Sequence, residues 1–347
     1  MVIPDCHMQF GRSDRSKGCR SGHFSCPTSF RKVPVDLRCN AFAGWRIKNK
    51  KKSPAARLRC RLSIARPALS HCLCLAVLSA ALAHEGPPAS PTEPQVIELD
   101  RYRKALWTVR VSIQGKTGDF LFDTGGGMTM VTPTFAASLD CKFNRRTTGY
   151  NMFGTRGDTP TCSNVALAAD GVPLVPVNVG SYDMGDHFKG DKQPDGILSL
   201  DAFDGKAFTM DQRARTLTIE TDASLAARTK DMIELPLRVS RECSARCLSV
   251  FLGVPRAQGM TWLLLDSGAG GVSLIAKDYA AEFGLKSDVA EQRLQMESAP
   301  GSAVDSPVAV TDMIMDGNLG QPFLSQHLVT IDLARSRAWL APNPMKP

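Results

Sequence analysis

The chain has 347 residues, enough for one large or two small domains, and its composition is that of an ordinary globular protein. Its formal charge of +8 is concentrated at the N-terminus, because residues 1–83 hold 16 Lys and Arg against three acidic residues. The rest of the chain is net acidic, so the sequence pI near 9 does not indicate a nucleic-acid-binding protein.

Residues 61–83 have the parts of a secretory signal peptide. A basic start is followed by a mostly apolar run over residues 68–82, and the motif Ala81-Leu82-Ala83 has the small residues of a cleavage site. Cleavage after Ala83 predicts a periplasmic or extracellular protein that begins at His84. The apolar run is shorter than the roughly 20 residues of a membrane span, so a retained anchor is the less favoured alternative.

The segments on either side of this leader lack the pattern of a folded domain. Residues 1–60 are basic and without apolar periodicity, and they form either a disordered extension or a stretch that is not translated. We favour the second interpretation, because export signals normally stand at the N-terminus. Residues 84–95 are rich in Pro and small polar residues, which predicts a linker.

Four cysteines remain after the leader, and an exported chain meets an oxidising environment, so their even number suggests two disulfides. Cys243 with Cys247 would close a small loop, and Cys141 with Cys162 a larger one. The C-x-x-C spacing of zinc sites is absent, and we predict neither a metal nor another cofactor.

Beyond residue 95 the sequence indicates strands and turns. Leu106 to Ile113 alternates and is rich in β-forming residues, Gly115 to Gly118 indicates a turn, and Asp119 to Phe122 begins a second strand. Helical patterns are few and short. One of them is Ala276 to Phe283, with Gly284 as its C-terminal cap.

An internal duplication organises this part of the chain. The segment that begins Asp195-Gly196 recurs at Asp316-Gly317, 121 residues later, and Thr209 recurs at Thr330 with the same offset. Upstream, Phe120 to Gly125 recurs as Leu263 to Gly268 with an offset of 143. The first half therefore carries 22 extra residues between Asp123 and Asp195, and the halves meet near residues 223–229.

The duplicated motif is three apolar residues followed by Asp-[Thr/Ser]-Gly. The apolar run predicts a buried strand, the Asp stands where that strand ends, and the Gly permits a tight turn. Two such loops related by a pseudo-twofold axis bring two carboxylates together. Carboxylates this close share a proton, so one can activate a water while the other protonates a carbonyl oxygen.

These motifs resemble those of the pepsin and retropepsin superfamily of aspartic peptidases over residues 96–343. The resemblance implies an all-β fold of two homologous β-barrel lobes, 96–228 and 229–347, with pseudo-twofold symmetry and few short helices. It implies that Asp123 and Asp266 are catalytic. It also implies supporting roles for the rest of the two motifs, Thr124, Gly125, Ser267 and Gly268.

The first lobe departs from the family pattern at two positions. Ser199 stands where the family has Gly behind the catalytic loop, and Gly126 stands where it usually has Ala or Ser. A Ser at that position would help to hydrogen-bond the catalytic carboxylate. We therefore expect packing and support at Asp123 that differ from those at Asp266.

A hairpin flap is expected to cover the cleft. Residues 150–157 combine aromatic and Met side chains with Gly turn residues, and we assign the flap or substrate-binding role to Tyr150, Met152, Phe153 and Gly154. An ordinary surface hairpin is the alternative. The 22 extra residues of the first half are expected to include this region.

The predicted function is endopeptidase hydrolysis of peptide or protein substrates, with no nucleic acid and no stable membrane anchor as partners. Both lobes lie in one chain, which predicts a monomer. The alternative is a catalytically weak peptide- or protein-binding module that uses the same cleft. The presence of both aspartates favours the enzyme.

Overall fold

The computed structural model describes residues 92–188, 192–257, 259–289, 291–299 and 302–343. The basic extension 1–60, the signal peptide 61–83 and most of the linker 84–95 lie outside these described residues. In the described part of the chain, no helix is long and apolar enough to cross a bilayer.

The first half is built of thirteen strands and two α-helices. The strands are β1 Gln95–Glu98, β2 Asp100–Tyr102, β3 Leu106–Ile113, β4 Lys116–Phe122, β5 Met130–Val131, β6 Arg145–Tyr150, β7 Arg156–Val165, β8 Leu167–Ala169, β9 Val172–Pro173, β10 Val177–Ser181, β11 Gly196–Leu198, β12 Ala207–Asp211 and β13 Thr216–Glu220. The helices are α1 Pro133–Ala137 and α2 Asp222–Thr229, with 3₁₀ segments at Gly185–Phe188 and Leu200–Phe203.

The second half repeats this organisation with fewer strands. Its strands are β14 Ile233–Glu242, β15 Cys247–Arg256, β16 Gly259–Leu265, β17 Ser273–Ala276, β18 Gln292–Ala299, β19 Ser302–Thr311, β20 Gly317–Leu319, β21 His327–Asp332 and β22 Arg337–Pro342. It also has the helix α3 Gln321–Leu324 and a 3₁₀ segment at Lys277–Phe283. The predicted all-β fold with few short helices is confirmed.

Local predictions agree with these elements in most places. The strand predicted at 106–113 is β3, and Gly284 caps the 3₁₀ segment Lys277–Phe283 in a left-handed conformation with φ 68°. The predicted turn Gly115 to Gly118 is wrong at its end. The chain turns at Gln114 and Gly115, both with positive φ, and β4 already begins at Lys116.

Two sheets hold the lobes. One sheet runs β6-β7-β10-β5-β11-β4-β3-β8-β9, with β2 attached to β3, and lies within the first half. The other runs β1-β13-β12-β21-β22-β14-β15-β16-β20-β17-β19-β18 and includes strands of both halves. The predicted linker residue Gln95 is part of β1, which pairs with β13.

The two halves join through β12 and β21, which pair antiparallel with Thr209 opposite Thr330. The hydroxyls of these two threonines lie 2.9 Å apart in the interior. They are the residues that the offset of 121 relates, so the pseudo-twofold axis passes between them. The largest buried cluster likewise contains side chains of both halves, including Phe208 and Ile331.

The extra length of the first half includes the flap region. In the first half β10 lies parallel to β5 and pairs with β7, and in the second half β19 lies parallel to β17 and pairs with β18. By this pairing β7 and β10 correspond to β18 and β19. Among the described strands, β6 at the end of the first sheet has no counterpart in the second half, in agreement with the expectation that the extra residues include this region.

Candidate active site

The two aspartates stand at equivalent ends of buried strands. Phe122 of β4 and Leu265 of β16 are each 1% exposed, and the next residues are Asp123 and Asp266. Both strands lie parallel to the later strands β11 and β20. The amide of Asp123 donates to the Leu198 carbonyl at 3.0 Å, and that of Asp266 donates to the Leu319 carbonyl at 3.1 Å. The neighbouring parallel strand thus fixes the backbone position of each aspartate.

The hydroxyls of Thr124 and Ser267 join the two loops by hydrogen bonds, and this set of bonds is called the clasp below. Thr124 Oγ1 donates to the Leu265 carbonyl at 2.7 Å and accepts from the Ser267 amide at 3.0 Å. Ser267 Oγ donates to the Phe122 carbonyl at 2.9 Å and accepts from the Thr124 amide at 3.0 Å. All four bonds are buried and cross from one lobe to the other. Each motif hydroxyl therefore fixes the backbone of the opposite lobe.

The motif glycines bring the carboxylates against each other. The amide of Gly125 donates to Oδ1 of Asp123 at 2.9 Å, and that of Gly268 donates to Oδ1 of Asp266 at 3.1 Å. A Cβ on Gly125 would lie 2.6 Å from the carboxyl carbon of Asp266, and a Cβ on Gly268 would lie 2.6 Å from that of Asp123. Only glycine permits this approach, and the predicted pair of carboxylates is brought together across the lobe boundary.

The predicted flap is the β6–β7 hairpin. Its tip is held by the side chain of Asn151, whose Oδ1 accepts from the amides of Phe153 and Thr155. Gly154 takes the positive φ of 78° that this tight turn requires. Among the predicted flap residues, Met152 is 3% exposed, whereas Tyr150 and Phe153 are 64% and 45% exposed.

The flap tip is docked on the second lobe. The amide of Ile314 donates to the Met152 carbonyl at 2.9 Å, and the Met152 side chain packs with Leu264 and Leu274. Met313 and Met315 pack against the same group. Asp123 and Asp266 are both 0% exposed in this arrangement. The described structure therefore combines a flap tip packed on the second lobe with two fully buried carboxylates.

A cavity of about 310 Å³ lies between the flap and the Asp123 loop. Tyr150 and Met152 line it, together with Gly125, whereas Phe153 and Gly154 do not. Its other apolar lining residues are Met128, Met130, Met184, Ile197, Phe251, Leu264 and Met315. The four cavity methionines other than Met152 are site residues that the sequence analysis did not identify, because single methionines in strands and loops carry no pattern.

The described structure contains two disulfides, and the cysteines of the second one line the cavity. Cys141 pairs with Cys162, and Cys243 pairs with Cys247 across the β14–β15 turn. That turn reaches the first lobe, where the Leu248 amide donates to the Gly127 carbonyl at 2.7 Å. These are the pairings that the sequence analysis considered.

Comparison with protein families agrees with this geometry. A family model described as aspartyl protease matches residues 109–202, which run from β3 past the first aspartate. Over these residues the chain is similar to the aspartyl protease family. Curated proteins give no match. Among solved structures, the chain is similar to basic 7S globulin from soybean, with 13% identity and a TM-score of 0.47, over 74% of this chain and 96% of that one.

The two departures from the aspartic peptidase pattern compensate each other. A Cβ on Gly126 would overlap Oγ of Ser199, so the small residue of the loop faces the larger residue behind it. Ser199 Oγ donates to the backbone carbonyl of Asp123 at 3.0 Å. In the second lobe the sizes are reversed, because a Cβ on Gly320 would lie 3.0 Å from the Cβ of Ala269.

A buried network lies behind the first loop. Thr129 donates to Asp201 from its amide at 3.1 Å and from its hydroxyl at 2.6 Å, and the same hydroxyl accepts from the Ser199 amide at 3.2 Å. Burial raises the pKa of Asp201 to about 7. This acid was not predicted, since one Asp in an apolar stretch is not distinguishable from a surface residue by sequence.

The second loop has a different partner, Asn318 of β20. Its amide Nδ2 donates to Oδ2 of Asp266 at 2.8 Å, and its Oδ1 accepts from the Leu274 amide at 2.7 Å. Burial, and next the charge of Asp123, raise the pKa of Asp266 to about 7. The sequence analysis did not assign Asn318 a role. A role for Asn318 could have been suspected from the sequence. Asn318 corresponds to Ile197 in the repeat, so it is polar at a position where an apolar residue is expected.

Proposed function

We propose that the protein is an aspartic endopeptidase in which Asp123 and Asp266 activate a water for attack on a peptide bond. The observation that carries this proposal is the reciprocal contact of each motif glycine with the opposite carboxylate. Two buried carboxyls in such contact hold one proton between them, so the pair offers a base and an acid together. That combination is what hydrolysis of a peptide bond requires.

The substrate is an extended peptide that lies beneath the flap. The cavity between flap and loop is lined mainly by apolar side chains, five of them methionines, and this flexible residue adapts to ligands of different shape. Both lobes contribute to the site within one chain, and we infer that the active species is a monomer.

The test is cleavage of a peptide library between pH 3 and pH 8 by the purified protein and by Asp123→Asn and Asp266→Asn. Since the pair works as a unit, each substitution is expected to reduce cleavage by about a thousandfold or more. Asp204→Asn, at a position whose side chain is 40% exposed, is the matched control and should keep full activity. Cleavage at the wild-type rate by either aspartate variant would contradict the proposal.

The pH profile is a second test. The pair is active while it holds one proton, and with the pKa of Asp266 raised to about 7 activity should fall as the pH rises through about 7. A statine-type transition-state mimic should inhibit cleavage. Chelators should leave cleavage unchanged.

A second candidate function is peptide or protein binding without turnover. The docked flap favours it, because the flap tip packs on the second lobe and both carboxylates are fully buried. This candidate predicts that library peptides bind tightly but are not cleaved, and that neither aspartate substitution changes their binding.

We further propose that the protein is exported, with cleavage after Ala83. The two disulfides support an oxidising environment. N-terminal sequencing of the exported protein should start at or near His84. Intact reduced chain confined to the cytoplasm would contradict export.

A further inference from the structure

The turn between β14 and β15 borders the cavity from the second lobe. Cys243 and Cys247 of this turn line the cavity, and a disulfide joins them across the turn. Neither cysteine of the other disulfide, Cys141 or Cys162, is among the described residues that line it. The two disulfides of the described structure thus differ in their relation to the candidate site.

The turn contacts the flap through a sulfur atom and an arginine. A Cβ on Gly149 of β6 would lie 3.2 Å from Sγ of Cys243, so this sulfur packs directly on the backbone of the flap strand. Two residues earlier on the same strand, Thr147 Oγ1 accepts from Nη1 of Arg246 at 3.4 Å. Thr147 and Gly149 both line the cavity. The turn therefore supports the flap strand where that strand borders the cavity.

The same turn contacts the loop that carries Asp123. The Leu248 amide donates to the Gly127 carbonyl at 2.7 Å, and a Cβ on Gly127 would lie 3.8 Å from the Cβ of Cys247. Gly127 lines the cavity and has a positive φ of 71°. One short turn of the second lobe thus contacts both the flap and the Asp123 loop.

The backbone of this turn adopts a conformation that its residues do not favour. Cys243, Ser244 and Ala245 have φ values of 53°, 58° and 63°, so three consecutive residues other than glycine are left-handed. Residues with a Cβ usually adopt this conformation singly, and it persists where surrounding contacts fix it. Here the Arg246 amide donates to the Glu242 carbonyl at 3.0 Å, and the disulfide joins the ends of the turn. We therefore expect the turn to relax when the disulfide is opened.

We propose that the Cys243–Cys247 disulfide is a positioning crosslink that holds the β14–β15 turn as a wall of the peptide-binding cavity, so that the oxidised chain binds peptides more tightly than the reduced chain. The proposal rests on the proposed function for the nature of the ligand, an extended peptide. The disulfide acts on binding and on the order of the flap strand, through the contacts of Gly149, Thr147 and Gly127.

The bond can be opened by a dithiol in solution. Cys243 is only partly buried, so a thiolate can reach its sulfur. The dithiol attacks the bond and is itself converted to a disulfide, while two thiols form on the chain. Oxidation by a disulfide donor reverses the reaction, so the proposed effect on binding is reversible.

The experiment compares removal of the two disulfides from the full chain. In Cys243→Ser/Cys247→Ser, the KM of a cleaved library peptide is expected to rise by about tenfold, while kcat changes by less than about threefold. Cys141→Ser/Cys162→Ser is the matched control. It opens a loop of sequence separation 21 rather than 4, so it should lower the thermal midpoint at least as much, but it should leave KM unchanged.

Reduction gives a reversible version of the same test. In Cys141→Ser/Cys162→Ser, dithiothreitol should raise KM about tenfold and reoxidation should restore it. Hydrogen exchange, followed by mass spectrometry, should become about tenfold faster in β6 and at residues 125–128 after reduction, and should stay unchanged in β21 and β22. If this variant fails to fold, dithiothreitol is applied to the wild type and to Cys243→Ser/Cys247→Ser, and only the wild type should respond.

Three results would overturn the proposal: an unchanged KM in Cys243→Ser/Cys247→Ser, an equal rise of KM in both double variants, or exchange in β6 that reduction does not alter. An equal rise would mean that the bonds act only through stability. In a protein that does not cleave, the dissociation constant of a library peptide replaces KM. Weaker peptide binding and faster exchange in β6 after reduction, without cleavage, would refute the enzyme and retain the role of the disulfide.

Discussion

At the scale of single residues, the Asp123 loop is packed as well as the Asp266 loop, because the small and the larger side chain have exchanged places between the loop and the strand behind it. The second lobe has the larger residue in the loop, at Ala269, and glycine behind it at Gly320. The first lobe has glycine in the loop, at Gly126, and the larger Ser199 behind it. Ser199 also holds the Asp123 backbone, so the departures from the family pattern leave the loop filled and supported.

This exchange predicts coupled effects of substitution. Gly126→Ala alone places a methyl group on Ser199 Oγ, and such overpacking should lower the free energy of unfolding by about 1–3 kcal/mol. Adding Ser199→Gly recreates the arrangement of the second lobe and should recover most of that loss. Urea unfolding of the two single variants and the double variant gives the coupling free energy. Strictly additive effects would show that the two positions do not share one space.

At the scale of elements, the flap is an ordered hairpin whose tip is held on the opposite lobe by one buried side chain. Met152 lies among apolar residues of β16 and β17, and its carbonyl receives the Ile314 amide. Phe153, the next residue, is 45% exposed. The hairpin turn itself is fixed by Asn151, so we expect any opening to break the contacts of Met152 rather than those within the turn.

Truncation of Met152 should therefore loosen the flap more than truncation of Phe153. Met152→Ala removes the docked side chain, and we expect the backbone amides of the flap to exchange hydrogen about tenfold faster or more, because loss of a buried Met costs about 2 kcal/mol or more. Phe153→Ala is the control and should change exchange by less than about threefold, since exposed positions contribute little. Hydrogen exchange followed by mass spectrometry measures both. Equal rates in the two variants would contradict a docked flap.

At the scale of the whole molecule, neither lobe holds a complete site. The clasp of Thr124 and Ser267 crosses between lobes, and β12 and β21 join them into one sheet about the Thr209–Thr330 contact. The same enclosure buries Asp201 and Asp266 and raises the pKa of both to about 7. Because burial raises these pKa values, the stability of the folded chain depends on pH.

Two acids with raised pKa values make stability depend on pH in a defined direction. Between pH 4 and pH 7 the folded chain keeps protons that the unfolded chain has lost, so each acid's contribution is full below about pH 4 and is lost as the pH rises toward 7. The slope is at most about 1.4 kcal/mol per pH unit for each group. Asp201→Asn keeps the acceptor for Thr129 and should roughly halve the fall.

Urea unfolding at pH 4.5, 5.5 and 6.5 tests this prediction. Asp204→Asn is the control, because Asp204 lies in the same part of the chain with its side chain 40% exposed. The buried His327, whose pKa is lowered by burial, contributes in the opposite direction but equally in all variants. A pH dependence that is identical in Asp201→Asn and the wild type would contradict a protonated Asp201.

The sequence by itself determined the architecture and the two candidate carboxylates. Three apolar residues before Asp-Thr-Gly and Asp-Ser-Gly predict buried strands that end in turns, because such patterns are local and depend on the period of a strand. The constant offset between Thr209 and Thr330 predicts one fold used twice, and the axis does pass between them.

Only the tertiary structure decided how each carboxylate is supported and covered. Asn318 meets Asp266 and Leu274 from 52 and 44 residues away, Ser199 fills the space left at Gly126, and the flap docks at Ile314. Contacts of this kind depend on strand register and on how the lobes pack, which no short pattern records. The role of a polar residue in an apolar strand, or of a glycine in place of a serine, can be identified only when the side chain that it contacts is known.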